Sequence, residues 1–146
     1  MTTPPFALSG LDHVVLRVRD VRTMLDFYCR VLGCVLEKEQ EPIGLWQLRA
    51  GSALIDLLDC GAATAGTIRE PVDDAGRNMD HFCLRVAGYD EAAMRAWLQA
   101  QGANVGTSGT RYGAEGSGPS LYLFDPEGNQ LELKASQGVS GYPADG

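Results

Sequence analysis

The eight residues Leu11-Asp12-His13-Val14-Val15-Leu16-Arg17-Val18 decide the fold, because the chain repeats them as Met79-Asp80-His81-Phe82-Cys83-Leu84-Arg85-Val86. Five of the eight positions are identical, and the only two histidines of the chain occupy the same position in each copy. The β-branched and aliphatic residues predict a strand in both places. An internal repeat of this kind predicts a fold built from two copies of one structural unit.

Each octet is followed by the same series of predicted elements. Aspartates that suit an N-cap and glycines that suit a helix stop predict helices over about 21–32 and 90–101. Three further strands complete each half, at 34–40, 45–50 and 53–58 and then at 103–107, 120–124 and 129–134. The sequence therefore predicts an α+β fold of two tandem β-α-β-β-β modules whose sheets form a shared cleft.

The predicted boundaries follow changes in composition. Module one covers 11–58 and module two covers 79–134, joined by a polar connector at 59–78. A loose lead-in at 1–10 and a flexible tail at 135–146 flank them. Residues 106–119 contain five glycines in fourteen positions and are predicted to form a loop. With Arg111 and Tyr112 as substrate-binding candidates, this segment is interpreted as a mobile lid or specificity loop, or else as a long β-turn region. The stretch Asp125-Pro126-Glu127-Gly128 predicts a tight hairpin turn.

Composition excludes several classes of function. A formal net charge of −7 argues against nucleic acid and against an anionic membrane surface as partners. There is no apolar run near the roughly 20 residues of a membrane-spanning helix, and the first residues do not resemble a signal peptide. The four cysteines lack Cys-x-x-Cys spacing, which favours reduced thiols. We therefore expect a cytoplasmic protein that binds a small molecule.

Alternation along the repeated strand separates a packed face from a chemical one. Every second side chain of a strand lies on the same face. Val14, Leu16 and Val18 form an apolar face that a helix would cover, so His13 points the other way. The same pattern directs His81 towards the cleft. Two equivalent strands would bring the two imidazoles towards one point.

Carboxylates fall on the same face in the strands predicted to pair with the octets. Glu132 lies between Leu131 and Leu133, and its counterpart Asp56 lies between Ile55 and Leu57. Two neutral imidazoles with one or two carboxylates suit a single divalent ion such as Zn, Ni, Co, Mn or Fe(II). The sequence thus predicts a metal site of His13, His81, Glu132 and Asp56.

Simpler interpretations stand beside this one. A single strand histidine is usually structural, and the duplication in register is what favours ligands here; Asp56 can instead be an ordinary surface-strand acid. Arg17 and Arg85 are either strand-end charges that pair with nearby aspartates or residues that hold an anionic substrate group. Cys83 is interpreted as a packed core cysteine rather than a thiol lining the cleft.

Three stretches together resemble one known family. They are Leu11-Asp12-His13 with Phe27-Tyr28 and Leu32-Gly33, then Asp80-His81, then Leu121-Tyr122-Leu123-Phe124-Asp125-Pro126-Glu127-Gly128-Asn129-Gln130-Leu131-Glu132. This pattern resembles the vicinal oxygen chelate superfamily, the glyoxalase/bleomycin-resistance/extradiol-dioxygenase fold, over about residues 11–134. The resemblance implies that His13, His81 and Glu132 hold a divalent metal that chelates substrate oxygens. It also implies a homodimer, since many members are dimeric.

The resemblance leaves the reaction open between branches of the family. Glyoxalase-like members add a second glutamate, where this chain has Asp56, and bind glutathione through an arginine at the spacing of Arg17. In such a lyase or isomerase, Glu132 would be catalytic and shuttle a proton. Ring-cleaving dioxygenases have a tyrosine where Tyr122 stands, but also a histidine that this chain lacks. Fosfomycin-modifying relatives have Thr or Cys where Val15 stands, and bleomycin-type binders generally lack the metal triad.

These comparisons lead to one working hypothesis and two alternatives. The leading hypothesis is a metal-dependent, glyoxalase-like enzyme for a small, oxygen-rich substrate, with glutathione-linked compounds as one class of candidate. The alternatives are a non-catalytic binding or resistance protein and a dioxygenase with an unusual acid/base.

Overall fold

The computed structural model describes residues 5–7, 9–60 and 78–136. Most of the predicted connector, all but the first two residues of the predicted tail and part of the lead-in lie outside these ranges. The chain divides into two compact units, Met1–Pro71 and Val72–Gly146. Each unit is considered by itself.

The first unit has the predicted β-α-β-β-β order. Its strands and helix are β1 His13–Val18, α1 Val21–Leu25, β2 Val35–Gln40, β3 Leu45–Ala50 and β4 Ala53–Asp59. They form one four-stranded sheet in the order β1-β4-β3-β2, in which β1 and β4 run parallel. The other neighbours are antiparallel.

The helix of this unit differs in kind from the prediction. Asp20 caps α1 by accepting a hydrogen bond from the Thr23 amide, as expected. After Leu25, however, the chain continues as a wider π-helix, Asp26–Val31. Phe27, Tyr28 and Val31 are all buried in this turn. Apolar spacing alone does not distinguish a π-turn from an α-turn, because both place these side chains on the core side.

The second unit repeats the order and the sheet topology. Its elements are β5 His81–Val86, α2 Glu91–Ala100, β6 Asn104–Gly113, β7 Gly116–Phe124 and β8 Gln130–Ala135. The sheet order is β5-β8-β7-β6, with β5 and β8 parallel. This matches the first unit strand for strand and confirms the predicted tandem modules. Asp90 caps α2 through the Ala93 amide.

The predicted loop over 106–119 is wrong. This segment forms most of a long antiparallel hairpin, β6 and β7, turned at Ala114 and Glu115. Two of its glycines lie directly against other side chains. A Cβ on Gly109 would lie 2.5 Å from Arg111 Nη1, and one on Gly113 would lie 3.1 Å from Lys134 Cδ. At these two positions glycine allows the Arg111 and Lys134 side chains to lie against the strand.

The predicted turn between the last two strands is confirmed. The Gly128 amide donates to the Asp125 carbonyl at 3.0 Å, and Gly128 has a φ of 83°. The Asp125 carboxylate accepts hydrogen bonds from the Glu127 and Asn129 amides, which fixes the turn. Strand β8, which carries Glu132, begins directly after it.

Each sheet has one consistently apolar face. In the first unit the core includes Val18, Leu48 and Leu57, and in the second it includes Leu121 and Leu131, all fully buried. The alternate positions carry the polar side chains, as the alternation predicted. Within the described ranges, no helix is long and apolar enough to cross a membrane.

Candidate metal centre

The strand register places the histidines and carboxylates identically in the two units. In the first, His13 lies opposite Leu54 and Val15 lies opposite Asp56. In the second, His81 lies opposite Gln130 and Cys83 lies opposite Glu132. Each carboxylate therefore stands two residues beyond the partner of its histidine, on the neighbouring parallel strand. The two pairs are equivalent by register as well as by sequence.

Each histidine is oriented by the aspartate that precedes it. His13 Nδ1 lies 2.7 Å from Asp12 Oδ2, and His81 Nδ1 lies 2.6 Å from Asp80 Oδ2. Since a carboxylate accepts, Nδ1 carries the proton and the Nε2 lone pair is left to bind a metal. The hydrogen bond to Asp12 also raises the pKa of His13. This role of the aspartates was not predicted, although the Asp-His dipeptide is repeated in both octets.

Glu132 is a buried carboxylate that is held by several polar neighbours. It is 6% exposed, its Oε1 accepts a 2.5 Å hydrogen bond from the Tyr122 hydroxyl, and the same oxygen lies 3.8 Å from His81 Nε2. Burial raises the pKa of Glu132, but hydrogen bonds from Tyr122 and Cys83 and the charge of His81 outweigh it and hold the pKa below its usual value. Ser120 lies near enough to add to that lowering, though outside ordinary hydrogen-bonding geometry.

Arg111 fixes Tyr122 in turn. Its Nε donates to the Tyr122 hydroxyl at 3.1 Å, and its guanidinium lies 5.5 Å from the centre of that ring. The edge of the His81 ring also meets Tyr122, with centroids 5.5 Å apart. Arg111, Tyr122, Glu132 and His81 thus form one continuous contact network on one face of the second sheet.

Asp56 has a different environment in the first unit. It is 2% exposed, and its Oδ2 accepts a 3.2 Å hydrogen bond from Gln47 Nε2, which is bound in turn by Gln40 at 3.0 Å. Its other oxygen, Oδ1, is buried and has no hydrogen-bond partner. An unsatisfied buried carboxylate oxygen is costly, so this atom is suited to a cation.

The donor types in each unit suit a divalent metal. Neutral imidazole nitrogens, oriented by carboxylates, and buried carboxylate oxygens are the ligands that Zn, Mn, Ni or Fe(II) take. Among the described residues, no group of three or more His, Cys, Asp or Glu side chains could hold a metal ion. Each unit supplies a pair, and the predicted four-ligand site stays a prediction.

The other predicted substrate-binding residues have separate environments. Arg17 is exposed, and Arg85 lies 3.6 Å from Glu115 rather than pairing with Asp80. Tyr112 is 84% exposed near the end of the β6–β7 hairpin. The prediction of Cys83 as a packed core cysteine is wrong, because the residue is exposed on the face of Glu132. Partial burial of the thiol and the nearby Glu132 carboxylate raise the pKa of Cys83 to about 12.

Comparison with known proteins agrees with this architecture. Residues 10–133 match the model of the glyoxalase/bleomycin resistance protein/dioxygenase superfamily. A glutathione transferase FosA from Serratia marcescens is 26% identical over 126 residues, which cover 86% of this chain and 80% of that protein. An integron cassette protein from the mobile metagenome of V. cholerae has a TM-score of 0.70 at 28% identity, covering 90% of this chain and 98% of the other. A lactoylglutathione lyase from Agrobacterium tumefaciens shares the fold, with a TM-score of 0.62 at 21% identity over 92% and 96% of the two chains.

Proposed function

The chain belongs to the glyoxalase/bleomycin resistance protein/dioxygenase superfamily, and from that premise we propose that it is a divalent-metal-dependent enzyme acting on a small, oxygen-rich substrate. The working class is a glyoxalase-like lyase or isomerase that moves a proton with the help of the metal. One observation carries this proposal. Two histidines, each with Nδ1 bound by an aspartate, stand in the same register beside a buried carboxylate.

The proposed ligands are His13, His81 and Glu132, with Asp56 as the fourth. Support for Asp56 comes from its unsatisfied buried oxygen. A homodimer is part of the proposal, with the two halves of the site brought together within one chain or across two. When bound, the metal would act as a Lewis acid on a substrate oxygen.

Glu132 is the proposed catalytic residue. Its lowered pKa keeps it ionised near neutral pH, so it can accept a proton from the substrate. The Tyr122 hydroxyl, 2.5 Å away, would hold the carboxylate in place during that transfer. Arg111 acts as a positioning residue, because its Nε–H donates to that hydroxyl.

Glutathione-linked compounds are the first substrates to examine. Two of the proteins that this chain resembles are named for glutathione chemistry, a lyase and a transferase. Exposed Arg17 is the candidate for a carboxylate of the tripeptide. None of the cysteines Cys29, Cys34, Cys60 and Cys83 is in a disulfide, which suits a reducing cytoplasm.

Glutathione transfer is the second candidate, favoured by the transferase relative. Against it, Val15 stands where fosfomycin-modifying relatives have Thr or Cys. The two candidates differ in what glutathione does: it is part of the substrate in the first and a consumed nucleophile in the second.

Metal binding is the first test of this proposal. Metal-free protein is titrated with Zn, Ni, Co, Mn and Fe(II), and binding is followed by calorimetry and by the Co(II) absorption spectrum. Wild type should bind one ion per site, and His81→Ala should weaken binding by at least about 100-fold, more than the loss of an outer-shell partner costs. Glu132→Gln should also weaken it, whereas the exposed control Glu39→Gln should not.

Turnover then separates the functions. The loaded protein is assayed with the methylglyoxal–glutathione adduct, with an epoxide plus free glutathione, and with catechols under oxygen. Isomerisation of the adduct supports the leading proposal, and glutathione consumption supports the transferase. Oxygen uptake with Fe(II) would instead indicate the dioxygenase, and tight metal binding without turnover would indicate a binding protein. Equal metal binding by wild type and His81→Ala contradicts the site itself.

A further inference from the structure

Lys134 is a buried cation that the proposed reaction does not use. It is 4% exposed, an unusual state for a lysine that lacks an ion-pair partner. By the alternation of β8, its side chain shares a face with Glu132, while Leu131 and Leu133 lie on the apolar face. No hydrogen bond or ion pair joins Lys134 to the described residues, although its charge acts on the nearby Cys83 thiol. Lys134 Nζ is not among the fully buried polar atoms that lack a partner, so the ammonium group keeps some contact with solvent and a negative charge from outside can reach it.

The end of the β6–β7 hairpin covers this lysine. Its side chain passes the Cα of Gly113 so closely that a Cβ there would lie 3.1 Å from Lys134 Cδ and 3.2 Å from Cε. Glu115, at the turn, lies 3.6 Å from Arg85 Nη1 and 3.5 Å from the Ser136 hydroxyl. These contacts engage the acid at the hairpin end with partners other than the lysine.

A second unsatisfied polar group adjoins Lys134. Ser120 is its register partner across β7 and β8 and is fully buried. The Ser120 hydroxyl lies near the Glu132 carboxylate but makes no hydrogen bond within ordinary geometry. The Lys134 ammonium group and the buried Ser120 hydroxyl provide a positive charge and a hydrogen-bond donor, and a carboxylate or phosphate oxygen can accept hydrogen bonds from both.

The first unit shows that the fold does not require these groups. The residues in the same register there are Leu45 and Leu58, which pair as Ser120 and Lys134 do. The neighbouring strand carries an arginine in both units, Arg17 opposite Leu58 and Arg85 opposite Lys134. The same sheet is thus completed by two leucines in one copy and by two unpaired polar groups in the other.

We propose that Lys134 and Ser120 bind a small oxyanion, a carboxylate or phosphate group of the substrate, beside the candidate metal ligand Glu132. Lys134 is two residues from Glu132 on one face of β8, a separation of about 7 Å. This inference rests on the proposed function, because the same substrate would bind the metal through its oxygens and Lys134 through its anionic group. Arg111, held on Tyr122, lies on the same face and adds positive charge.

The test uses inorganic phosphate and acetate as probes on metal-free protein, so that an anion on the metal is not counted. Calorimetry and amide chemical shifts should show saturable binding of at least one probe by wild type. Preference for phosphate or acetate tells which oxyanion the site takes. Lys134→Met should weaken binding at least 10-fold and Ser120→Ala several-fold. The exposed control Lys38→Met should bind as wild type does.

Two further variants complete the design. Lys134→Arg keeps the charge and should retain measurable binding, which guards against a fold defect in Lys134→Met. His81→Ala should lose the metal and keep the oxyanion, so failure of the metal proposal and failure of this one are distinguishable. Absence of binding of both probes by wild type, or equal affinity in wild type and Lys134→Met, overturns the inference.

Discussion

The two units of the chain share one register and differ in what supports their carboxylates. In the first, Asp56 is held through two amide side chains, Gln47 and then Gln40. In the second, Glu132 is held by Tyr122 at 2.5 Å, with Arg111 behind it. Gln47 and Tyr122 occupy equivalent positions opposite their carboxylates. The two units thus share one strand register, and the carboxylate of the second unit has the shorter hydrogen bond.

The largest of the expected differences concerns the aspartates that orient the histidines. Asp80→Ala should weaken metal binding by about 10- to 100-fold, the usual effect of removing an outer-shell partner. Asp12→Ala should do the same if the two halves contribute equally, because both hydrogen bonds are short, at 2.7 and 2.6 Å. Metal titration of both variants compares the halves directly.

The control for this comparison is Asp59→Ala, an aspartate on β4 outside the His-carboxylate pairs. Unchanged affinity in Asp80→Ala would show that the imidazole does not need its neighbour for orientation. A loss in Asp80→Ala alone would show that only the second unit holds the metal.

A smaller effect is expected from the groups behind the carboxylates. Tyr122→Phe removes a 2.5 Å hydrogen bond to Glu132 and should weaken metal binding by about 10-fold. Gln47→Ala removes a longer bond of 3.2 Å and should cost less. Calorimetric titration of both variants with one metal measures the difference. Equal losses would mean that the support of Glu132 has no special part.

Alternation of apolar and polar residues alone predicts most of the features that the two units share. Because strand side chains alternate, the octets already separate His13 and His81 from the apolar face and lead to Asp56 and Glu132. The order and approximate bounds of the strands follow from the same pattern. Alternation predicts which face of the sheet a side chain lies on, but it does not predict which side chains on that face contact each other.

The missed features depend on long-range geometry. The glycines of 106–119 predict a loop because glycine favours turns. In the folded hairpin, however, Gly109 and Gly113 lie against the Arg111 and Lys134 side chains, and local sequence does not show this contact. Lys134 lies near the end of an apolar strand, a position that predicts a charge exposed to solvent, yet the residue is 4% exposed. The roles of Asp12 and Asp80 were readable from the repeated Asp-His pair, since a histidine ligand usually donates its other N–H to a carboxylate.

The smallest expected effect concerns the pH dependence of stability at the start of α1. Hydrogen bonds from the Thr23 hydroxyl and amide lower the pKa of Asp20, the cap of α1. A pKa lower in the folded state than in the unfolded state means that the ionised cap stabilises the fold above the ordinary aspartate pKa of about 3.9. That contribution is lost as the pH falls through the lowered pKa, because the carboxylate is then protonated in both states.

Asp20→Asn tests this, because asparagine also caps helices but does not titrate. Wild type should lose more thermal stability than Asp20→Asn between about pH 5 and pH 3, and the two melting temperatures should converge as the carboxylate is protonated. Thr23→Val removes the hydroxyl hydrogen bond and keeps the amide one, so in its background Asp20→Asn should change the pH profile less than it does in wild type. Equal pH profiles of wild type and Asp20→Asn would contradict a stabilising role of the ionised cap.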